Sequence, residues 1–361
     1  MIRREKNEPK ASPAEAASVA VLGATGLVGE EMIRRLERRG FPVGRLLPLA
    51  SRRDGRSVRF AGEAIPVEKA TPERLAGVDL VLSSAGGAVS RALLPAAAAS
   101  GAICIDNTSA FRLRPDVPLV VPEVNGHRLE GLRIGEKGAI VANPNCSTIQ
   151  LVLAVAPLHG RAAVRRIVVS TYQSISGAGA RAVGAFRDAS RSVLDDASAE
   201  SGGPAVFDVL PDIGGVDANG DSVEEKKMIL ETPKILEAEV AVDATCVRVP
   251  VVRGHAESVW VETAEPLSTE EAREVLSRAP GVRLAEGGGG VVTPRGVERT
   301  DPVHVGRIRG SRTAGRGLQL WVVADNLLKG AALNAVQIAE RIVGVAAAGR
   351  ASDAVAAGTG A

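Results

Sequence analysis

Hydrophobic and polar residues follow a regular pattern from residue 18 onward, and the first block of that pattern has the clearest order. Residues 19–22 are apolar, residues 23–29 are rich in glycine, and residues 30–39 carry apolar side chains at helical spacing. This order predicts a short buried strand, a tight turn and an amphipathic helix. A dinucleotide-binding motif requires that context, because the glycines let the backbone approach a pyrophosphate and the helix start favours its charge. The spacing is GxxGxxG, so a glycine turn that only joins strand to helix is the alternative.

The same alternation continues as far as residue 145. Apolar runs at residues 46–50, 79–84 and 102–105 predict further buried strands, and residues 90–100 predict a helix between two of them. Strands that alternate with helices favour a parallel sheet covered on both faces. The first part of the chain is therefore predicted to be a Rossmann-type dinucleotide-binding domain.

The pattern changes in the second part of the chain, where β-branched and alternating segments occur at 166–172, 244–251, 259–264, 303–309 and 318–324. Such segments predict a mostly antiparallel sheet with one solvated or partner-facing side. The predicted fold class is α/β, a Rossmann-type domain followed by an α+β domain. The predicted boundaries are a disordered tail at 1–17, the dinucleotide-binding domain at 18–145, the α+β domain at 146–324, a C-terminal helix returning to the first domain at 325–346 and a disordered tail at 347–361.

Composition excludes several classes of function. A net charge of +2, without a basic patch interleaved with aromatic residues, gives no nucleic-acid signature. No apolar run reaches the roughly 18 residues of a membrane span, and the charged start lacks the apolar core of a signal peptide. The three cysteines form no CxxC pair, so we expect neither a disulfide framework nor a metal site, and we expect a cytoplasmic location.

Cys146 is the candidate nucleophile. It stands in the run NPNCST at residues 143–148, directly ahead of an apolar stretch that predicts a buried helix. Asn145 and the hydroxyl residues are typical of a helix start. A thiol on the first turn faces free N–H groups and the positive end of the helix dipole, so we expect the thiolate to be favoured. Cys104 and Cys246 lie in β-branched runs and are predicted to be inert core residues.

The end of the second predicted strand indicates which dinucleotide fits. NAD-binding domains usually carry Asp or Glu there to accept from the ribose 2′-hydroxyl. Here the strand ends in Ser51, Arg52 and Arg53, without an acid at the strand end. A hydroxyl and two guanidinium groups suit a 2′-phosphate, so the predicted cofactor is NADP. Two solvated arginines in a loop are the alternative.

Six local runs, in order, closely resemble aspartate-semialdehyde dehydrogenase, and the resemblance extends from about residue 20 to residue 343. The runs around Cys146 and His255 are specific to that family, whereas the glycine turn is not. Residues 325–332 also match, except that the family usually has Arg where Leu328 stands. The six runs are residues 23–29 (GATGLVG), 106–112 (DNTSAFR), 122–125 (PEVN), 143–148 (NPNCST), 170–179 (STYQSISGAG) and 246–255 (CVRVPVVRGH).

The resemblance implies an NADPH-dependent enzyme that converts L-4-aspartyl phosphate to L-aspartate 4-semialdehyde, a step towards diaminopimelate, lysine, threonine and methionine. Cys146 matches the residue that attacks the acyl phosphate, expels phosphate and forms a thioester, which hydride from NADPH then reduces. His255 matches the general acid/base, and a near-neutral pKa would suit proton transfer in both directions. Gln173 matches the residue that orients the substrate beside the cysteine.

The resemblance also implies which residues hold the substrate. Arg248 matches the residue that clamps the α-carboxylate, and Glu224 the acid that takes the α-amino group. Arg112 and Lys227 match the phosphate-binding pair, and Asn145 is placed in the same site. The run EEKK at residues 224–227 also fits an ordinary charged helix face, so the register of these two assignments is open by one residue.

Cofactor binding and assembly follow from the same resemblance. The second domain is implied to be catalytic and to mediate dimerisation through its sheet, giving a homodimer or a homotetramer. Residues expected to contact the cofactor are Gly23, Thr25, Gly26, Leu27, Val28, Gly29, Ser51, Arg52, Arg53, Ser84, Ala85, Gly86, Ser176, Gly177 and Asn326.

Two other interpretations stay open. An N-acetyl-glutamyl-phosphate reductase or a malonyl-CoA reductase would share the thioester chemistry but would not need Glu224 opposite a free amine. A relative without catalytic activity, acting as a binding protein, is disfavoured because Cys146, Gln173, Arg248 and His255 are all present.

Overall fold

The computed structural model describes residues 16–52, 55–195, 206–285, 289–313 and 315–344. Arg53, the end of the predicted C-terminal helix and both predicted tails, apart from residues 16 and 17, lie outside these ranges. The first strand begins at Ala17, two residues before the apolar run that predicted it.

The first part of the chain folds around a six-stranded parallel sheet. The strands of this part are β1 (Ala17–Leu22), β2 (Val43–Ala50), β3 (Ser57–Phe60), β4 (Glu63–Pro66), β5 (Glu68–Lys69), β6 (Leu80–Ser83), β7 (Ile103–Asp106) and β8 (Ala139–Ala142). The order along the sheet is β5-β2-β1-β6-β7-β8, and each neighbouring pair is parallel. β3 and β4 form a separate hairpin. This is the predicted Rossmann-type architecture.

Both faces of this sheet are covered, and alternate residues of β1 pack into two different cores. Val19 and Val21 pack with one core and Ala20 and Leu22 with the other. β1 lies between β2 and β6, so the chain adds strands first on one side of β1 and then on the other. A crevice opens at this point, at the carboxyl ends of the strands. The helices of this part are α1 (Leu27–Arg38), α2 (Pro72–Leu75), α3 (Gly87–Ala99) and α4 (Pro122–Asn125).

The second part contains a mixed sheet. Its strands are β9 (Val164–Gln173), β10 (Ala241–Arg248), β11 (His255–Thr263), β12 (Val282–Leu284), β13 (Val303–Gly310) and β14 (Gly317–Ala324). The order is β10-β9-β11-β14-β13-β12, with antiparallel pairing in the middle and parallel pairing at both edges. The predicted antiparallel character is thus found at the centre. The edge strands are parallel because long connections return the chain to the same end of the sheet, and the connection from β9 to β10 contains α6 and α7.

The helices of the second part begin with α5, which starts at Cys146 and carries buried residues from Ser147 to Val155 without a break. These are α5 (Cys146–Ala162), α6 (Ala180–Asp195), α7 (Val223–Leu236), α8 (Thr269–Arg278) and α9 (Leu333–Val343). A π-helical turn, Leu328–Ala332, precedes α9, and Leu328 is fully buried within it.

The last helix packs on the first domain. Ala335, Val336 and Ile338 of α9 share a core with Ile33 and Leu36 of α1. Within the part of the chain that the structure describes, no helix has both the length and the apolar character needed to cross a membrane.

Candidate active site

A cavity of about 500 Å3 opens beside the carboxyl edge of the first sheet, with walls from both parts of the chain. Cys146, at the start of α5, lies in its wall. Most residues predicted to contact substrate or cofactor line the same cavity. These are Val28, Ser84, Gly86, Arg112, Asn145, Gln173, Ser176, Gly177, Glu224, Lys227, Arg248 and Asn326.

Cys146 and His255 form a close pair in this site, with 3.2 Å between Sγ and Nε2. Cys146 is the first residue of α5 and His255 is the first residue of β11, so regular elements fix the positions of both side chains. Gly254 makes the turn into β11 with φ +85°, and a Cβ there would lie 2.9 Å from the main-chain oxygen of Pro294. The imidazole is fully buried and the cysteine is half-buried. The sulfur therefore faces the cavity while the imidazole lies behind it.

The expectation that the start of α5 favours the thiolate is wrong. Oδ1 of Asn145 accepts the N–H of Ser147 at 3.0 Å and that of Thr148 at 3.2 Å, so these donors of the first turn are already occupied. Burial, reinforced by the Glu224 carboxylate, raises the pKa of the Cys146 thiol to about 12, against the opposing effect of nearby cations. The resting residue is a thiol.

The near-neutral pKa expected for His255 is also wrong. Burial lowers the pKa of this imidazole to about 3, and the charge of Arg248 lowers it further while Glu224 opposes the change. The ring is therefore uncharged at neutral pH, and the resting pair consists of a thiol and a neutral imidazole.

Three cationic side chains line the cavity, and two of them are ion-paired. Nη1 of Arg112 lies 3.0 Å from Oε1 of Glu231, and Nζ of Lys227 lies 2.7 Å from Oε2 of Glu224. Arg248 has no acidic partner among the described residues. The cations thus exceed their paired carboxylates by one charge, which suits an anionic ligand.

Hydrogen bonds to the main chain hold two of these cations in place. Arg112 donates from Nε to the oxygen of Asn143 at 2.9 Å and from Nη2 to that of Asn107 at 2.7 Å. Arg248 donates from Nη1 to the oxygen of Ser174 at 2.7 Å. Both guanidinium groups are thereby oriented before any ligand enters, which lowers the entropic cost of binding.

Helix α7 shows which residues of the EEKK run reach the cavity. Glu224 and Lys227 line it. The pKa of Glu224 is lowered because Lys227 and the Asn145 amide outweigh the effect of burial. Glu225 caps the start of its own helix and bonds a main-chain N–H of β10, and Lys226 pairs with an aspartate elsewhere. Glu224 and Lys227 therefore face the cavity, whereas Glu225 and Lys226 do not line it.

Two glycines leave room for the groups around the sulfur. A Cβ at Gly177 would lie 3.0 Å from Nη1 of Arg248 and 3.4 Å from the ring of His255. At Gly330, in the π-helical turn, it would lie 2.9 Å from Cβ of Cys146. Any larger residue at either position would displace a group of the site.

Gln173 ends β9 beside these groups and is almost fully buried. Its Nε2 donates to Oγ1 of Thr171 at 3.3 Å, so this amide nitrogen is already paired.

The start of α1 is shaped to receive an anion. Its N-cap is Gly26, and no side chain caps its first turn. A Cβ at Gly29 would lie 2.1 Å from the oxygen of Gly23, and one at Gly23 would lie 2.9 Å from the nitrogen of Ala85. Gly23 also has φ +91°. The close backbone and the free first-turn N–H groups fit the pyrophosphate of a dinucleotide.

Several other predicted cofactor residues do not line the cavity. Ser51 and Arg52 are exposed just after β2, whereas Thr25 lies in the glycine turn and Leu27 is the first residue of α1. Asn326 lines the cavity, but its amide is occupied within the protein. Its Oδ1 accepts from the Gly254 nitrogen at 2.9 Å.

Two residues of the site were not predicted from the sequence. Glu231 bridges Arg112 and the main-chain nitrogen of Asn145, the latter at 2.7 Å. Its position seven residues after Glu224 on one helix face is a signal that helical periodicity offered. Ser174 acts through its main-chain N–H, which lies 3.0 Å from Nδ1 of His255, and a main-chain donor leaves no trace in a sequence.

Known families match both parts of the chain. The model for the semialdehyde dehydrogenase NAD binding domain matches residues 18–132, and the model for the semialdehyde dehydrogenase dimerisation domain matches residues 155–329. An aspartate-semialdehyde dehydrogenase of Aquifex aeolicus is 45% identical over 334 residues, covering 90% of this chain and 97% of that protein.

Solved structures agree with this match. The crystal structure of aspartate semialdehyde dehydrogenase II from Vibrio cholerae superposes with a TM-score of 0.86 at 41% identity, covering 92% of this chain and 99% of the other. The same enzyme has also been solved in a complex with ASA, with the same scores. Since these likenesses span about nine tenths of the chain, the chain belongs to the aspartate-semialdehyde dehydrogenase family.

Proposed function

We propose that the chain catalyses the NADPH-dependent reductive dephosphorylation of L-4-aspartyl phosphate to L-aspartate 4-semialdehyde through a thioester on Cys146. The observation that carries the proposal is the sulfur of Cys146, 3.2 Å from Nε2 of His255 in the wall of a cavity with cationic side chains. A nucleophile hydrogen-bonded to an acid/base side chain is the arrangement that acyl transfer requires.

Different cations receive the two anionic groups of the substrate, the α-carboxylate and the phosphate. Arg248 has no acidic partner among the described residues, and its planar group suits the α-carboxylate. Arg112 and Lys227 receive the phosphate, each paired with one carboxylate. Glu224, buried and ionised, receives the ammonium group.

Gln173 and Asn145 complete the site. Gln173 lies in the cavity wall at the end of β9, where it orients the substrate carbonyl beside the sulfur. Asn145 holds the start of α5 and donates from Nδ2 to Glu224 at 2.8 Å, so it ties the nucleophile to the ammonium-binding carboxylate.

The cofactor site lies next to this pocket. NADPH, when bound, supplies the hydride that reduces the thioester. The uncapped start of α1 holds its pyrophosphate, and Ser51 with Arg52 receives the 2′-phosphate. Val28 and Gly86 connect the glycine turn to the cavity of Cys146.

We also propose a cytoplasmic homodimer that forms through the outer face of the second sheet. Val168 and Tyr172 of β9 are 41% and 37% exposed there. The ring centroids of Tyr172 and of Trp321 on β14 are 5.5 Å apart, so the face carries apolar side chains. Light scattering is expected to give the mass of a dimer. A monomer would contradict the assignment, and a tetramer would add a second interface.

The decisive assay is phosphate-dependent reduction of NADP by L-aspartate semialdehyde, compared with N-acetylglutamate semialdehyde. We expect turnover with the first and little with the second, because acetylation removes the ammonium group that Glu224 receives. An enzyme that prefers the acetylated aldehyde would be a reductase of the rival class. Strict dependence on coenzyme A instead of phosphate would point to a malonyl-CoA type reaction.

A further inference from the structure

Lys329, in the π-helical turn before α9, is a charged side chain enclosed by the protein, with only 1% of its surface exposed. Its Nζ lies 2.9 and 2.7 Å from the two carboxylate oxygens of Glu123 on α4. It also lies 2.9 Å from Oδ1 of Asn334 and 2.6 Å from Oε1 of Gln337, both on α9. An ammonium group donates and never accepts, so Asn334 must turn its amide oxygen towards the lysine.

The orientation of Asn334 determines that of two further amides. Its Nδ2 donates to Oδ1 of Asn143 at 2.7 Å. Asn143 accepts there through its oxygen and donates from Nδ2 to Oδ1 of Asn107 at 2.7 Å. Nδ2 of Asn107 in turn donates to the main-chain oxygen of Ser83 at 3.4 Å. The amide network thus consists of Lys329, Asn334, Asn143 and Asn107, and each member donates to the next.

The last two members of the amide network hold Arg112. The main-chain oxygen of Asn143 accepts from its Nε at 2.9 Å, and that of Asn107 accepts from its Nη2 at 2.7 Å. Glu231 accepts from Nη1 at 3.0 Å. Within the described part of the chain, each terminal nitrogen of Arg112 thereby keeps its second hydrogen free for a ligand in the cavity. Two such N–H groups side by side can bind two oxygens of one phosphate.

Burial leaves the amide network a single arrangement. Asn143 and Asn334 are completely buried, so neither amide can exchange its protein partner for water. A reversed amide would set oxygen against oxygen at one contact and N–H against N–H at another, which buried polar groups avoid. The C-terminal segment, through Lys329 and Asn334, therefore determines how the residues around Arg112 are held.

We propose that Lys329 and Asn334 are positioning residues for phosphate, because the amide network fixes the two main-chain oxygens that orient Arg112 towards the cavity. This inference rests on the proposed function, in which Arg112 receives the phosphate. Neither Lys329 nor Asn334 lines the cavity, so each acts through Arg112 and not on the substrate itself.

Asn334→Asp tests the amide network without changing the size of the side chain. The carboxylate keeps its contact with Lys329 but sets an acceptor against the oxygens of Val120 and Asn143, which now receive from Nδ2. We expect the KM for phosphate to rise about tenfold, as the loss of one charge-assisted hydrogen bond implies, with the KM values for L-aspartate semialdehyde and NADP unchanged. In an Arg112→Ala background the same substitution should have no further effect, because the residue that it orients is gone.

Gln337→Ala is the matched control, because it removes a hydrogen bond to Lys329 that lies outside the amide network. It should lower stability and leave the KM for phosphate unchanged. Equal KM values in Asn334→Asp and in this control would overturn the proposal, since the network would then only anchor α9. Asn143→Ala interrupts the network but keeps the main-chain oxygen, and it gives the same test should Asn334→Asp fail to fold.

Calorimetric titration of the NADP complex with inorganic phosphate separates this inference from the proposed function. Phosphate affinity lowered about tenfold by Asn334→Asp, in an enzyme that does not turn over L-aspartate semialdehyde, would refute the reaction and support the positioning role. Turnover in the unaltered enzyme, with unchanged phosphate affinity in Asn334→Asp and Asn143→Ala, would leave the reaction standing and overturn the positioning role. An unaltered enzyme that binds no phosphate would overturn both.

Discussion

Two helices begin at the same crevice, and their first turns differ in whether backbone N–H groups are available to an anion. α1 begins at a glycine, without a capping side chain, beside the end of β1. α5 begins at Cys146 shortly after β8, and Asn145 caps it with hydrogen bonds to the next two N–H groups. The first start is open to an incoming anion, and the second has used its donors internally.

This difference indicates that a helix start acts on an anion chiefly through donors that are still free. The macrodipole contributes typically 0.3–1 kcal/mol at an exposed terminus, less than burial costs a charged group. At α1 the free N–H groups and the glycine backbone together form an anion site. At α5 the cap removes the donors and the buried surroundings of Cys146 keep the thiol protonated.

The largest expected effect is the loss of turnover in Cys146→Ala. Without the sulfur no thioester forms, so activity should fall below detection while NADPH binding at α1 stays unchanged. Stopped assays with L-aspartate semialdehyde and fluorescence titration with NADPH measure the two properties. The matched control is Cys246→Ala, which is buried beside Met228 and should lower stability but keep turnover. Residual turnover above a few per cent in Cys146→Ala would refute the thioester.

The next largest effect is expected for Gly29→Ala at the open helix start. Its Cβ would fall 2.1 Å from the oxygen of Gly23, so the turn must move. Overpacking of about 1–3 kcal/mol, if it acts on the cofactor-bound state, corresponds to a loss of about fivefold to about 150-fold in NADPH affinity. Gly160→Ala is the control, because a Cβ there meets nothing within 4 Å in α5 and should raise stability. If NADPH affinity in Gly29→Ala equals that of the control, the turn does not hold the cofactor.

Periodicity predicted most of the fold because burial repeats along the chain. The parallel strands were visible as apolar runs, since both faces of that sheet are covered. The parallel edges of the second sheet were not visible, because the pairing direction depends on crossovers and not on the side chains of β10 or β12.

The candidate site also has features that the sequence reveals and features that it does not. Residue identities such as Cys146, His255 and Arg248 could be recognised in their runs. Their protonation could not, because the pKa of Cys146 and that of His255 depend on burial and on neighbours far away in sequence, such as Glu224. The Ser174 N–H belongs to the backbone of every residue, so only the folded chain shows its role.

A smaller effect is expected from Arg52→Ala, which tests whether this arginine makes the enzyme prefer NADP over NAD. Arg52 is exposed, so one charge-assisted contact to the 2′-phosphate is worth about 1.5 kcal/mol, or roughly tenfold. The ratio of kcat/KM for NADP to that for NAD should fall by this factor, with the NAD value unchanged. Arg38→Ala, at the far end of α1, provides a control of equal charge. An unaltered ratio in Arg52→Ala would mean that this arginine is only a solvated charge.

The smallest expected effect is the one that bears most directly on the comparison. Asn145→Ala uncaps α5 and frees the N–H groups of Ser147 and Thr148. Stability should fall by about 1 kcal/mol. The pKa of Cys146 should also fall, by less than about one unit, because the freed donors and the dipole now act on the sulfur.

The pH dependence of iodoacetamide alkylation measures this change. In the unaltered enzyme the rate should keep rising above about pH 9, as a thiol with a pKa of about 12 requires. In Asn145→Ala the curve should shift to lower pH. Ser268→Ala removes the equivalent cap of α8 on the surface and should cost similar stability without any shift. If the Asn145→Ala curve coincides with that of Ser268→Ala, burial alone sets the thiol pKa and the capped donors of α5 have no influence on the nucleophile.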